Sequence, residues 1–316
     1  MPYASPLATK PLETLLTTKN RPVNVLSALQ YGQQTLKAAW QGQYFSAPQN
    51  PSLDTQVLLA HILGWSKSQV FIHGEHELSP NEEHFFHELI SRRTKREPVA
   101  YITGKKWFFG REFSVTSDTL IPRPDTELLI EKALELCTPK TTILDIGTGS
   151  GAIAITLSCE TGLPTYAIDI SESALTIAKQ NATHLGATSV YFSIGNLLKS
   201  ESGTRRVPDS DVLLICANLP YLSENQWAAL DTDVKNYEPK SALVGGPRGD
   251  ECYEELFMQI AAHHRHLGAQ PVHILCEIDP GQKDTLPLLA KTYFPNCTCT
   301  VYNDIRDFPR LCIVKV

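Results

Sequence analysis

One segment restricts the possible folds of this chain more than any other. It is Asp145-Ile146-Gly147-Thr148-Gly149-Ser150-Gly151, which follows an apolar run at 143–146 and precedes helical residues from Ala152 onward. Glycines let a backbone turn tightly and approach a ligand where a Cβ would clash. The helix that follows points its free N–H groups at the same spot. Such a turn carries meaning only between a strand and a helix, and the surrounding sequence supplies that setting. A strand at 165–168 ends at Asp169, and a helix at 171–185 starts on Ser171. Strands at 190–194 and 212–217 follow, then a helix at 250–267 with Leu256, Ile260 and Leu267 on one face. Further strands lie at 273–278, 298–302 and 311–316. Strands alternating with helices predict an α/β, doubly wound sheet. The last two strands have only a short link between them, so an antiparallel edge hairpin is expected.

The N-terminal third reads differently, and 316 residues suffice for two domains. Residues 1–22 read as a loose arm with Pro2, Pro6, Pro11 and Pro22. Residues 23–97 read as a small helical domain. Leu53, Val57, Leu58, His61 and Ile62 form one apolar stripe, stopped at Leu63-Gly64. Pro80 with Glu82 and Glu83 opens another helix, through Phe85, Phe86, Leu89 and Ile90. Pro98 ends the domain. Residues 98–118 read as a linker, with a β-hairpin at 101–115 around Gly104 and Gly110. The final domain, 119–316, opens with Ile121-Pro122-Arg123-Pro124-Asp125-Thr126-Glu127. Pro124 at a helix start, with Asp125 and Glu127 in the first turn, predicts a helix to about Cys137.

Composition removes several classes. The net charge is -6, so specific DNA binding is not expected. The first 120 residues hold 12 Lys and Arg against 10 Asp and Glu, and the remainder holds 16 against 24. No run of about 18 apolar residues exists, so neither a membrane span nor a membrane partner is expected, and residues 1–22 do not read as a signal peptide. Eight cysteines lack any Cys-x-x-Cys pair. Zinc is therefore not expected, and reduced thiols in a cytoplasm are the simplest reading. His263, His264 and His266 with Arg265 look like a metal cluster, but before Gly268 they read as charges offsetting a helix dipole. No metal is expected. Arg92, Arg93, Lys95, Arg96, Lys105, Lys106 and Arg111 form a basic stretch. It reads as a solvated helix end, with contact to a partner protein or RNA as the sharper alternative.

The spacing of the glycine turn bears on its ligand. A nicotinamide dinucleotide prefers Gly-x-Gly-x-x-Gly. Here Gly147, Gly149 and Gly151 alternate, and Asp145 stands two positions before the first. A carboxylate there repels a pyrophosphate but favours a sulfonium and an amino-acid ammonium. Asp145, Gly147, Thr148, Gly149, Ser150 and Gly151 therefore read as a site for S-adenosyl-L-methionine. Asp169 sits where an acid commonly accepts from ribose hydroxyls. A plain Gly-rich turn without a ligand is the bland alternative.

A second motif, Asn218-Leu219-Pro220-Tyr221, ends the strand at 212–217. In open α/β sheets, ligands bind beyond the carboxyl ends of strands, so Asn218 is expected on the same rim as the glycines. An amide or aromatic amine is a poor nucleophile because its lone pair is delocalised. It needs orientation more than it needs a base. The side-chain oxygen of Asn218 and the carbonyl of Leu219 can hold both N–H bonds. Tyr221 can stack on the planar group, and Pro220 restricts Leu219 to an extended backbone. A strand-ending turn with a core tyrosine is the bland reading. A glutamine amide, an adenine amine and a cytosine amine all fit this chemistry. Glu277, at a strand end near this rim, reads equally as a substrate-orienting group or an exposed carboxylate.

Over nearly everything after residue 23 the chain resembles the peptide chain release factor glutamine methyltransferases. The likeness is carried by Leu53-Asp54, by Arg92-Arg93, and by Glu97-Pro98-Val99-Ala100-Tyr101-Ile102-Thr103-Gly104. It continues through Thr119-Leu120-Ile121-Pro122-Arg123-Pro124-Asp125-Thr126-Glu127 and the glycine turn. The resemblance implies a Rossmann-like class I S-adenosylmethionine-dependent methyltransferase with a small N-terminal helical substrate-recognition domain. It implies as target the glutamine of Gly-Gly-Gln in class 1 release factors. It further implies that Gly147, Thr148, Gly149, Ser150, Gly151, Asp169, Asn196, Leu197 and Asn218 line the cofactor pocket. Asn218, Leu219, Pro220 and Tyr221 would hold the glutamine. The family usually has Asn-Pro-Pro-Tyr; Leu219 keeps the backbone carbonyl but reduces loop rigidity. Asn-Leu-Pro-Tyr also resembles the motif of ribosomal RNA adenine dimethyltransferases, which carry their extra domain at the C-terminus rather than the N-terminus. A nucleic-acid amino-methyltransferase is thus the second reading, and a non-catalytic S-adenosylmethionine-binding regulator the third.

Overall fold

The structure is a computed structural model that describes residues 23–43, 49–200, 212–263 and 271–316. The expected arm at 1–22 lies outside the described residues, as do His264, Arg265 and His266. The chain divides into two compact units, Met1–Lys95 and Arg96–Val316.

The first unit is helical: α1 Val25–Trp40, α2 Pro51–Leu63, α3 Lys67–Ile72 and α4 Pro80–Thr94. Each starts at a residue whose side chain accepts from a first-turn N–H: Asn24, Asn50, Ser66 and Ser79. Leu36, Leu58 and Phe86 form part of its buried core. Two sequence motifs, with Asp54 and Arg93 lying 39 positions apart, meet here. The Arg93 Nε donates to Asp54 Oδ2 at 2.8 Å, and its guanidinium lies 4.6 Å from the Trp40 ring centroid. Arg93 is 4% exposed, so the basic stretch is not a solvated helix end at this position. Arg96 is equally buried, in an ion pair with Asp233 inside the second unit. Lys105 pairs with Glu112 and Arg111 with Glu160, each at 2.7 Å. These partners answer the charges within the fold, and burial corrects the solvated reading at Arg93 and Arg96. Removing one member of a buried pair strands the other. Arg93→Ala should therefore destabilise the helical unit by about 3 kcal/mol, read as a lowered denaturant midpoint; an unchanged midpoint would refute this role.

The second unit opens with a correction. Residues 99–103 are not the first strand of a hairpin. Pro98 and Gly104, the latter at φ 71, enclose a single helical turn, α5 Val99–Thr103. The hairpin proper is β1 Lys105–Phe108 against β2 Arg111–Ser114. A 3-10 turn, Pro124–Thr126, leads into α6 Glu127–Leu136. The alternating region follows: β3 Thr141–Ile146, α7 Ala152–Thr161, β4 Thr165–Asp169, α8 Glu172–Leu185, β5 Val190–Asn196, β6 Lys199–Ser200 and β7 Val212–Ala217. Then come β8 Leu222–Ser223, α9 Glu224–Ala228, α10 Thr232–Tyr237, β9 Val244–Gly246, α11 Glu251–His263, β10 Val272–Glu277, α12 Thr285–Tyr293, β11 Thr298–Asn303 and β12 Pro309–Lys315.

The main sheet runs β11-β12-β10-β7-β3-β4-β5-β6. β10, β7, β3, β4 and β5 are parallel, while β12 and β11 add antiparallel at one edge. Every residue of β3 is buried, as expected of a central strand covered on both faces. Leu144, Ile215 and Ile274 pack toward α11 and α12. Ile143, Leu214 and Leu275 pack toward α6, α7 and α8. The chain moves outward from β3 in both directions, through β4 on one side and β7 on the other, so a topological switch point lies between β3 and β7. Among the described residues, no helix is long and apolar enough to cross a membrane.

Candidate active site

Strand register decides which turns meet. Ile146 pairs with Ala217 across β3 and β7, strands that lie about 4.8 Å apart. The next residues, Gly147 and Asn218, therefore leave the sheet side by side at the switch point. Both open into one cavity of about 550 Å3. Its wall includes Gly147, Thr148, Gly149, Ser150, Asp169, Asn196, Leu197, Asn218, Leu219 and Pro220. The two motifs read from the sequence thus share a cavity.

Three expected site residues do not line it. Asp145 is fully buried beneath the turn, where its Oδ2 accepts from the Thr148 hydroxyl at 2.6 Å and the Ala154 N–H at 3.1 Å. Burial pushes its carboxyl up to about 7, and its Oδ1 has no hydrogen-bond partner. It braces the turn from below. Gly151 also lies behind the wall, at φ 83, with Ile155 Cδ1 only 2.6 Å from where a Cβ would stand. Tyr221 turns its hydroxyl away to Glu277 Oε1, 3.3 Å distant.

Asp169 ends β4 on the cavity wall. Its Oδ2 accepts from Gly149 N–H at 2.7 Å and its Oδ1 from Ser171 N–H at 2.9 Å. Burial raises its pKa, and those backbone bonds oppose the rise. Asn181 on α8, which the sequence reading passed over, ties the turn to the hairpin. Its Nδ2 donates to the Ser150 and Ser114 carbonyls at 2.9 and 3.0 Å, and its Oδ1 accepts from Ser114 N–H at 2.8 Å.

The acceptor turn is held just as closely. Asn218 Nδ2 donates to Thr126 Oγ1 at 3.2 Å, and Thr126 donates to Glu277 Oε2 at 2.6 Å. Glu277 is 2% exposed, so it is not an exposed rim carboxylate. Among the described residues, neither Asn218 Oδ1 nor the Leu219 carbonyl accepts a hydrogen bond.

Curated relatives match most of the chain rather than the sheet alone. A release factor glutamine methyltransferase of Koribacter versatilis is 37% identical over 286 residues, covering 88% of this chain and 98% of that protein. One from Enterococcus faecalis is 33% identical over 279 residues, covering 87% and 96%. Two family models match: the PrmC N-terminal domain over residues 27–104 and a methyltransferase domain over 138–244. The chain belongs to the release factor glutamine methyltransferase family. It is an enzyme of the class I methyltransferase fold with an N-terminal helical domain.

Within this family member, Leu219 has a structural role of its own. It is 3% exposed, and its Cδ2 lies 3.0 Å from where a Cβ on Gly147 would be. The side chain thus fills the space under the first glycine. Thr126 was present in the sequence motif read as a helix start, but its hydrogen bond to Asn218 could not be read there. Gly245 and Gly249 were also missed. A Cβ on Gly245 would stand 2.3 Å from the Pro220 carbonyl oxygen, and one on Gly249 would stand 2.5 Å from that of Tyr221. Both glycines let the segment around β9 press against the acceptor turn. Their signal was a Gly-Gly-Pro-Arg-Gly run, which reads as an ordinary turn.

Proposed function

We propose that this enzyme methylates the side-chain amide nitrogen of the glutamine in the Gly-Gly-Gln motif of class 1 release factors, using S-adenosyl-L-methionine. The observation that carries the reading is the common cavity of the glycine turn and the Asn218 turn. The residues present fit the cofactor. Gly149 lines the cavity, and no protein atom lies within 4 Å of where its Cβ would be. Asp169 presents a carboxylate on the same wall, with lone pairs left beyond its two backbone bonds. Gly147, Thr148, Gly149, Ser150, Asp169, Asn196 and Leu197 would hold the cofactor, with Asp145 and Gly151 shaping the turn behind them and Asn218, beside them on the wall, serving the amide. Bound there, S-adenosyl-L-methionine supplies a methyl group on positively charged sulfur, which the amide nitrogen takes up with loss of one proton.

The chain's own part is orientation. Asn218 and Leu219 line the cavity, and Asn218 Oδ1 and the Leu219 carbonyl, which accept no hydrogen bond among the described residues, would match the two N–H bonds of a primary amide. Holding both aims the nitrogen lone pair along one direction. The same two oxygens stabilise positive charge that develops on nitrogen. Pro220 fixes the turn, and Tyr221 supports it from behind through Glu277. The helical domain, residues 23–97, is the proposed recognition module; Phe71 and Ile72 on α3 stand 79% and 72% exposed, as a docking surface requires. Full-length family membership favours a protein substrate over RNA or DNA.

The test is methyl transfer with labelled cofactor to release factor, ribosomal RNA and DNA, followed by mass-spectrometric mapping. One methyl on the Gly-Gly-Gln glutamine is expected. Label on nucleic acid, or none at all, would overturn the reading.

A further inference from the structure

We propose that Thr126 and Glu277 form a relay that fixes which end of the Asn218 amide faces the substrate. The inference rests on the amide-methylation reading and extends it to residues proposed to act through Asn218. An asparagine amide offers an acceptor oxygen at one end and a donor NH2 at the other, and the two ends have nearly the same shape. Only the oxygen can accept an N–H from a glutamine amide. An Asn218 turned the other way would present hydrogens to hydrogens. Something must hold the correct face, and the structure supplies a directional chain.

An ionised Glu277 is acceptor-only. The Thr126 hydroxyl has a single hydrogen, and it points to Glu277 Oε2 over 2.6 Å. What remains on Thr126 Oγ1 is lone pairs, so its other neighbour must donate. That neighbour is Asn218 Nδ2, at 3.2 Å. The NH2 end is thereby tied to the protein, and Oδ1 is left for the cavity. Thr126 lies on the cavity wall but is 4% exposed, and Glu277 is buried behind it. Glu277 is fixed in turn from several elements. Tyr221 donates to its Oε1, the Tyr253 hydroxyl from α11 donates to its backbone carbonyl, and Arg310 on β12 and Asp125 beside Thr126 act on its charge.

The relay works only while Glu277 is ionised. A neutral carboxylic acid carries a donor of its own, which releases the Thr126 hydroxyl to rotate toward Asn218 and lets the amide turn over. Burial pushes the Glu277 carboxyl up to about 7, with Arg310 and the two hydroxyl bonds opposing the rise and Asp125 adding to it. The sign follows: turnover should rise with pH through that range as Glu277 loses its proton.

Two readouts test the relay. In steady-state kinetics with release factor, Thr126→Val should lose about 10- to 100-fold in kcat, the scale of a misplaced reacting group, with cofactor Kd nearly unchanged. Thr126→Ser, which keeps the hydroxyl, should restore most of it. Glu277→Gln should flatten the rise of kcat around pH 7. Independently of activity, the side-chain NH2 of Asn218, followed by NMR hydrogen exchange, should be protected in the unaltered enzyme and exchange faster in Thr126→Val and Glu277→Gln. Wild-type kcat in Thr126→Val, or equal Asn218 exchange in all variants, would overturn the relay. If the unaltered enzyme moves no methyl to release factor, the functional reading fails by itself, and the exchange measurement still decides the relay.

Discussion

Asn218→Ala should lower kcat by about 100- to 1000-fold and leave the Kd for S-adenosyl-L-methionine within about threefold of its original value. The expectation comes from what the substitution removes and what it leaves. It removes Oδ1, one of the two acceptors proposed to hold the amide, from a residue that lines the cavity. That interaction strengthens as positive charge builds on the substrate nitrogen, so its loss falls on the transition state rather than on binding. The glycine turn, Asp169 and the Asn196-Leu197 segment stay in place on the cofactor side. The fold is not at stake either, because Asn218 makes one long bond to Thr126, which still holds its stronger bond to Glu277. Equal turnover in the variant would mean that Asn218 does not hold the amide. A loss matched by weaker cofactor binding would mean that it serves the cofactor instead.

Gly245→Ala should reduce kcat by about 100-fold through the backbone alone, although residue 245 follows Asn218 by more than two dozen positions. A Cβ there would stand 2.3 Å from the Pro220 oxygen and 2.7 Å from the Gly249 oxygen. Real Cβ atoms do not approach so closely, and both obstacles are main chain, so no rotamer change relieves the clash. The acceptor turn must shift. A displacement near 1 Å at a reacting centre costs about 100-fold in rate. Part of the strain will also appear as lost stability, so the variant is to be assayed below its own melting temperature. Because the atoms that a Cβ on Gly245 would meet belong to Pro220 and Gly249, cofactor affinity should hold while kcat falls. Unchanged turnover would show that β9 does not set the position of Pro220.

Much of this was legible in the residues, and the limits have physical causes. The strand–glycine–helix order was legible because turn glycines and apolar runs are local signals. The placement of Asn218 on the same rim followed from strand polarity. The register that brings Ala217 opposite Ile146 was not legible. β3 and β7 are buried along almost their whole length on both faces, so neither carries the in–out alternation that would fix an alignment. The state of Glu277 was ambiguous for a related reason. Its burial depends on β12 lying antiparallel beside β10, with Leu311 opposite Glu277, and on Thr126 reaching it from another element. The basic stretch misled because charge pattern shows solvation only where the partners are near in sequence. Asp54 is 39 positions from Arg93, and Asp233 is 137 from Arg96. The short helices α9, α10 and α12 went unread: two are about one turn long, and Pro287 interrupts the pattern of the third. Asp145 was read as a carboxylate facing the cofactor, whereas it is buried beneath the turn and does not line the cavity. A carboxylate two residues before a glycine can face either way, and only the fold put it underneath.

The most direct measurement is the affinity of a bisubstrate compound in which a glutamine amide nitrogen is joined through a short carbon linker to the sulfur position of the adenosyl group. One cavity serving both turns requires it to bind at least about 100-fold more tightly than S-adenosylhomocysteine in calorimetry, the range of transition-state mimics, and to lose that gain in Asn218→Ala. A compound that binds no better than S-adenosylhomocysteine, or equally well to Asn218→Ala, would contradict a shared site for methyl donor and amide.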